Sequence, residues 1–109
     1  MKKDNKVIMT YHAEDRLKER AGFNQKAANR MAQKALDNGI THGDVTGQLK
    51  KWLDRKYFAY KNANNMRIYG EELYIFNEDV LITVFHIPQH LKKQALACQK
   101  KKREMEKNN

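Results

Sequence analysis

The apolar residues of this chain change their period part-way along, and that change limits the fold more than any other feature. In the first half they recur at helical spacing. Ala13, Leu17 and Ala21 make one stripe, opened by Thr10 as a capping residue and closed by Gly22. Ala27, Ala28, Met31, Ala32, Ala35 and Leu36 make a second behind Asn24, and Gly39 stops it. The alanines of this second helix allow a neighbour to approach closely, and Ile40 supplies the apolar contact of its end. A polar loop, Thr41-His42-Gly43-Asp44, leads into a short amphipathic helix with Leu49, Trp52 and Leu53.

From Tyr57 onward the pattern is that of strands. Residues 57–60, 66–69, 73–76 and 80–87 are rich in aromatic and branched side chains. Short polar links suited to hairpins separate them at 61–65, 70–71 and 77–79. Pro88, the only proline, suits the first position of a last helix that carries Leu91, Ala95 and Cys98 on one face. Helices and strands are thus segregated, which predicts an α+β fold. The expected arrangement is N-terminal helices on one face of a four-stranded antiparallel meander, followed by a basic C-terminal helix. Residues 1–98 should form one domain, with 99–109 as the basic helix end or tail.

Length and composition agree with a single core. The chain has 109 residues, 40% of them hydrophobic, and no apolar run approaching the ~20 residues of a membrane span. One cysteine, Cys98, rules out a disulfide within the chain and a thiolate zinc site. The basic start Met1-Lys2-Lys3 has no apolar segment behind it, so no signal peptide and a cytoplasmic location are expected. There is no serine, which excludes serine-hydrolase chemistry and a phosphate loop ending in Lys-Ser. The five glycines make no dinucleotide fingerprint, and no cofactor is expected.

Charge points to a polyanion. The net charge is +9, and residues 92–109 carry a local +5 through Lys92, Lys93, Lys100, Lys101, Lys102, Arg103 and Lys107. Nucleic acid is the first candidate partner. A plain solvated helix end would have the same composition.

The first helix holds the clearest chemical pattern. His12, Arg16 and Arg20 lie four apart, beside the apolar stripe. Two arginines so placed repel one another, and an anion between them would relieve that. Histidine moves protons near neutral pH, and guanidinium groups hold a phosphodiester and stabilise its transition-state charge. RNA brings its own nucleophile, the 2′-hydroxyl, so this inventory suits cleavage without serine, cysteine or metal. Surface salt bridges and a helix start account for the same residues more simply. Thr83 interrupts the most apolar strand, and strict alternation puts it with Leu81 and Phe85 on one face, opposite Ile82, Val84 and His86. Its hydroxyl could meet a phosphate, or it could be an ordinary strand residue. His86 and His90 straddle Pro88 with no third ligand in view, so no metal site is expected. Aromatic residues among the strands, with Arg67 between them, could stack bases or fill the core.

The segments Tyr11-His12-Ala13-Glu14-Asp15-Arg16-Leu17-Lys18-Glu19-Arg20 and Leu81-Ile82-Thr83-Val84-Phe85 give a resemblance. A leading His-Ala-x-x-Arg-x-x-x-Arg helix, a second helix and a meander ending in such a strand resemble small phage- and toxin-associated proteins. These belong to the barnase, EndoU, colicin and RelE-like group of metal-independent ribonucleases. The likeness is one of organisation over residues 8–87, and the basic helix after Pro88 lies outside it. It implies His12, Arg16 and Thr83 as active residues, with Arg20 as a helper.

The leading expectation is therefore a metal-independent, toxin-related ribonuclease acting by 2′-hydroxyl attack. Its catalytic set is His12, Arg16 and Thr83; Arg20, Arg67, Lys100, Lys101, Lys102 and Arg103 are its nucleic-acid contacts. RNA is the favoured partner, beside a protein partner such as an antitoxin, and no membrane is involved. Two other readings use the same residues: a non-catalytic nucleic-acid-binding protein, and a phage-borne protein that binds and inhibits a host protein.

Overall fold

In the computed structural model, which describes residues 6–107, the first two helices begin and end at the residues the sequence marks. The Thr10 hydroxyl opens α1 (Tyr11–Ala21) by accepting from the Ala13 N–H at 3.1 Å. Gly22 closes it at φ 70°, where the N–H groups of Gly22 and Phe23 meet the last carbonyls. Helix α2 (Gln25–Asn38) is capped by Asn24 in the same way, at 2.8 Å from the Ala27 N–H. Ala28, Ala32 and Ala35 are fully buried, the tight contact that an alanine stripe allows.

Helix α3 (Gly47–Ala59) runs further than expected. The sequence reading placed a strand at 57–60; these residues are instead its last turn and cap. Leu49, Trp52, Leu53, Lys56 and Tyr60 keep one helical stripe, and no breaker interrupts it. Continuity of that stripe outweighs the strand preference of Tyr57, Phe58 and Tyr60, which is a weak local bias.

Three strands form the expected meander: β2 (Asn65–Tyr69), β3 (Glu72–Asn77) and β4 (Val80–His86), antiparallel throughout. Their two-residue turns need left-handed backbone, supplied by Gly70 at φ 65° and by Glu78 at φ 60°. Asn64 holds the second turn, donating to the Glu78 carboxylate at 2.9 Å and accepting its N–H at 2.8 Å.

The fourth strand is not the expected one. It is β1 (Ile8–Met9), which pairs parallel to β4 and makes the order β1-β4-β3-β2. The sheet is therefore mixed rather than wholly antiparallel. Two residues carry no periodicity, so only docking against β4 makes them a strand.

Helices cover both faces, where one had been expected. Leu17 and the α2 alanines pack with Tyr74, Phe76, Leu81 and Val84 on one side. Leu49, Trp52 and Leu53 pack with Met66, Ile68, Leu73 and Ile75 on the other, joined by Leu91 and Ala95 of α4 (Gln89–Lys107). Residues 72–76 are buried without a gap, and such a strand needs a layer on each side. Gln99, the first residue of the expected basic helix end or tail, is buried within α4 and bonds both the N–H and the carbonyl of Gly70 at 2.9 Å. Among the described residues no helix is long and apolar enough to cross a membrane.

One irregularity positions the site. Ile75 pairs with Thr83 and Phe76 with Leu81, which leaves Ile82 as a bulged residue. Thr10 sits against this bulge, its N–H 3.3 Å and its hydroxyl 3.1 Å from the Leu81 carbonyl. The residue that caps α1 thus also ties the helix to β4.

Candidate nucleic-acid interface

Strand β1 pairs with β4 only as far as Leu81, so the later residues of β4 present a free edge. Helix α1 lies against this part of the sheet. Its buried stripe, Ala13 and Leu17, holds the helix on Leu81 and Val84, and the adjoining stripe of His12, Arg16 and Arg20 falls along the margin.

The three polar residues of that stripe do different things. His12 is exposed, and its Nε2 accepts from Arg16 Nε at 3.4 Å. Arg16 also donates Nη1 to Glu19 at 2.8 Å, so its charge is met within the helix. Arg20 turns to the sheet instead. Its Nη1 donates to the Val84 carbonyl at 2.6 Å, taking the place of a neighbouring strand's N–H, and the guanidinium stands 4.7 Å from the centre of the Phe85 ring.

Phe85 receives a second cation from the other helical layer. Lys56 of α3 places its ammonium 4.1 Å from the Phe85 centre and 5.7 Å from that of Trp52, and the Tyr60 ring meets Phe85 edge-on at 5.7 Å. Among the described residues neither Arg20 nor Lys56 forms a salt bridge. Burial, and after it the charges of Arg20 and Arg55, push the Lys56 ammonium below its ordinary pKa. Two helices and a strand edge therefore hold two cations on one aromatic ring, with no carboxylate of the described residues paired to either.

Thr83 does not join His12 and Arg16 of the α1 stripe. It is 1% exposed and pairs with Ile75, whose side chain belongs to the layer under α3 and α4, whereas α1 lies on the opposite face. The bulge at Ile82 has shifted the alternation, so Leu81 and Val84 share a face and Thr83 does not point where Leu81 does. The expected grouping of Thr83 with Leu81 is overturned for that reason. His12 and Arg16 are neighbours, but the structure does not bring Thr83 to them.

The other expected contacts lie at the far edge of the sheet. Arg67 of β2 donates to the Gly39 carbonyl at 2.8 Å and to Asn65 at 3.0 Å. It lines a cleft of about 610 Å³ with Tyr69, Gln99, Lys102 and Arg103. Asp37, Asp44 and Glu106 share that cleft and balance its charge, and Lys102 pairs with Asp44 at 3.2 Å. Burial acts to raise the Asp44 carboxyl, but the Thr41 N–H, the Thr41 hydroxyl and Lys102 together bring it below its ordinary pKa. Lys100 and Lys101 stay exposed on α4.

Two features escaped the sequence reading. The sequence hides Lys56, because the strand preference of residues 57–60 ends the expected helix before any turn that could face Phe85. The second is a pair across the end of β3 and β4, where His86 Nδ1 lies 3.2 Å from Glu72 Oε2. Glu72 is 8% exposed while the His86 side chain is 42% exposed. Burial pushes the Glu72 carboxyl above its ordinary pKa; the hydrogen bond and charge of His86 oppose this, and Glu71 adds to it. Acidic residues fourteen positions before a histidine give no local signal, since only hairpin register sets them side by side. Among the described residues no group of three or more His, Cys, Asp or Glu side chains could hold a metal ion. Comparison with models of known protein families, with curated proteins and with solved structures finds no match.

Proposed function

We propose that this chain binds single-stranded RNA, holding phosphates at the α1–β4 margin. The observation that carries this reading is the pair Arg20 and Lys56 on the Phe85 ring, without a carboxylate partner among the described residues. A half-buried ammonium crowded by two guanidinium groups gains from an anion, and a backbone phosphate is an anion of suitable size and charge. Exposed aromatics stand on the same two helices, Tyr11 on α1 at 90% exposure and Phe58 on α3 at 74%. Bases of a flexible single strand can stack on such rings, whereas those of a duplex are already stacked. The basic end of α4 adds sequence-independent attraction.

Binding is preferred to cleavage by His12, Arg16 and Thr83 because Thr83 is sealed inside the sheet. The test is fluorescence anisotropy with a labelled 12-nucleotide RNA between 50 and 200 mM salt. Lys56→Gln should weaken binding about 10-fold and lower the salt slope by about 0.7, the loss of one phosphate contact. Arg20→Gln should act in the same direction, and Thr83→Val should leave affinity unchanged. Equal affinity and equal slope for Lys56→Gln, Arg20→Gln and the parent would refute the assignment.

A further inference from the structure

Resting on the reading that this chain binds single-stranded RNA, we infer that the pocket between α3 and the start of β2 takes a uracil base of that RNA through its carbonyl edge. The pocket encloses about 240 Å³ and is lined by Thr41, His42, Tyr57, Asn64, Asn65 and Met66. Pockets for larger ligands begin at ~300 Å³, so this one suits a single small ring and not a whole nucleotide.

Its walls supply two kinds of contact, of which the first is aromatic. The His42 ring, on a short 3₁₀ turn at His42–Asp44, stands 6.4 Å from the Tyr57 ring, and Tyr57 meets Phe58 edge-on at 5.9 Å. Tyr57 is 45% exposed and Phe58 74%, so the run of rings leads from solvent to the pocket. A base stacks on such rings whatever its edge carries. The second contact is a pair of amides. Asn65 accepts from Arg67 Nε through its Oδ1 at 3.0 Å, and among the described residues its own N–H groups meet no acceptor. Asn64 accepts the Glu78 N–H and donates one N–H to the Glu78 carboxylate, which leaves its second N–H. Both amides keep donors in reserve, and the two ring carbonyls of uracil are the acceptors that match them. Asn64 and Asn65 also line a second cleft that holds Asp37, Glu78 and Asp79. Those carboxylates repel phosphate, so the neutral base enters while the backbone stays with the cations.

Placement joins the pocket to the phosphate contacts. Met66 is in register with Ile75 and Ile75 with Thr83, whereas Leu73 pairs with Phe85. Phe85 is therefore two strands across and two residues along from Met66, roughly 12 Å at ~4.8 Å per strand and ~3.4 Å per residue. Both side chains belong to the same layer of the core, beneath α3. Lys56 reaches the Phe85 ring and the next residue, Tyr57, lines the pocket, so α3 itself spans the interval. A strand rising about 3.4 Å per stacked nucleotide crosses it in about four steps.

The test measures the Kd of the full chain for three 12-nucleotide probes: oligouridylate, oligoadenylate and an abasic strand with the same phosphates. The parent should bind oligouridylate about 10-fold more tightly than oligoadenylate, and the abasic strand more weakly than either. Tyr57→Leu should weaken oligouridylate binding about 10-fold with the salt slope unchanged, while the Kd for the abasic strand stays within about twofold, because no phosphate contact is lost. Tyr57→Phe keeps the ring and should bind as the parent does. Asn65→Asp keeps an acceptor for Arg67 but removes both N–H donors, and should bring the two oligonucleotides to about equal affinity. If Tyr57→Leu binds oligouridylate as the parent does, or weakens the abasic strand equally, the pocket holds no base and the inference falls; a loss on Lys56→Gln in the same assay then leaves the binding proposal standing. Equal affinity of the parent for oligouridylate and oligoadenylate would overturn the uracil assignment. Absence of binding to all three probes would remove both proposals.

Discussion

Replacing Tyr74 by Phe should stabilise this protein. Tyr74 is wholly buried on the face beneath α1 and α2, and its hydroxyl has no hydrogen-bond partner among the described residues. Burial, and after it the charges of Glu72 and Tyr69, push its phenol well above the ordinary value, so the group stays neutral and protonated. A buried hydroxyl that has lost its hydration without gaining a partner costs about 1–3 kcal/mol. Removing the oxygen gives up a few dispersion contacts, about 0.5 kcal/mol in all. The expected gain is about 0.5–2.5 kcal/mol. For a domain of this size an unfolding entropy near ~2.1 cal/mol/K per residue converts that gain to a rise in Tm of roughly 2–11 °C. Urea unfolding followed by circular dichroism gives the direct measurement. The midpoint should rise with the slope m unchanged, because the surface exposed on unfolding is nearly the same. A Phe variant less stable than the parent by about 1 kcal/mol would show that the hydroxyl is bonded in solution, and the reasoning would fail.

Two further outcomes test the fold and its titration. A Cβ at Gly39 would come within 2.6 Å of the Ala35 carbonyl oxygen and 2.8 Å of Arg67 Cβ, so Gly39→Ala should lower stability by about 1–3 kcal/mol; an unchanged urea midpoint would contradict the close approach of α2 to β2. Glu72 has its carboxyl raised by burial, so the folded chain holds that proton more tightly than the unfolded one. Its contribution favours folding below the unfolded pKa and is lost as pH rises through the folded one. Glu72→Gln cannot ionise, and its stability relative to the parent should therefore improve as pH rises above the ordinary carboxyl value of 4.5. Urea midpoints of the two proteins that keep a constant difference over this range would oppose the assignment.

The helix signals near the N-terminus were legible because each depends on residues adjacent in the chain. Thr10, Gly22 and Asn24 act on backbone groups within a turn, and the Ala13–Leu17 stripe needs only helical geometry. The meander was legible for a similar reason: Gly70 and the 77–80 turn close their hairpins locally. The candidate site was less so. The sequence places His12, Arg16 and Arg20 on one stripe, but it does not show that Arg16 is met by Glu19 while Arg20 meets only a carbonyl and a ring. Lys56 shares that ring across about thirty residues of chain, a pairing that no local pattern encodes. Thr83 misled because alternation assumes an unbroken ladder, and one bulged residue at Ile82 reverses it.

By itself, then, the sequence determined the α+β class, the bounds of α1 and α2, the three meander strands and the basic stripe on the first helix. Local hydrogen bonding and side-chain period are sufficient for each of these. Tertiary structure decided that Ile8–Met9 becomes a strand, that helices cover both faces, and that Thr83 is buried. It also decided which cations stay without a carboxylate and which histidine has one behind it. These depend on contacts between distant segments, and their energies exist only once the sheet has set its order and register.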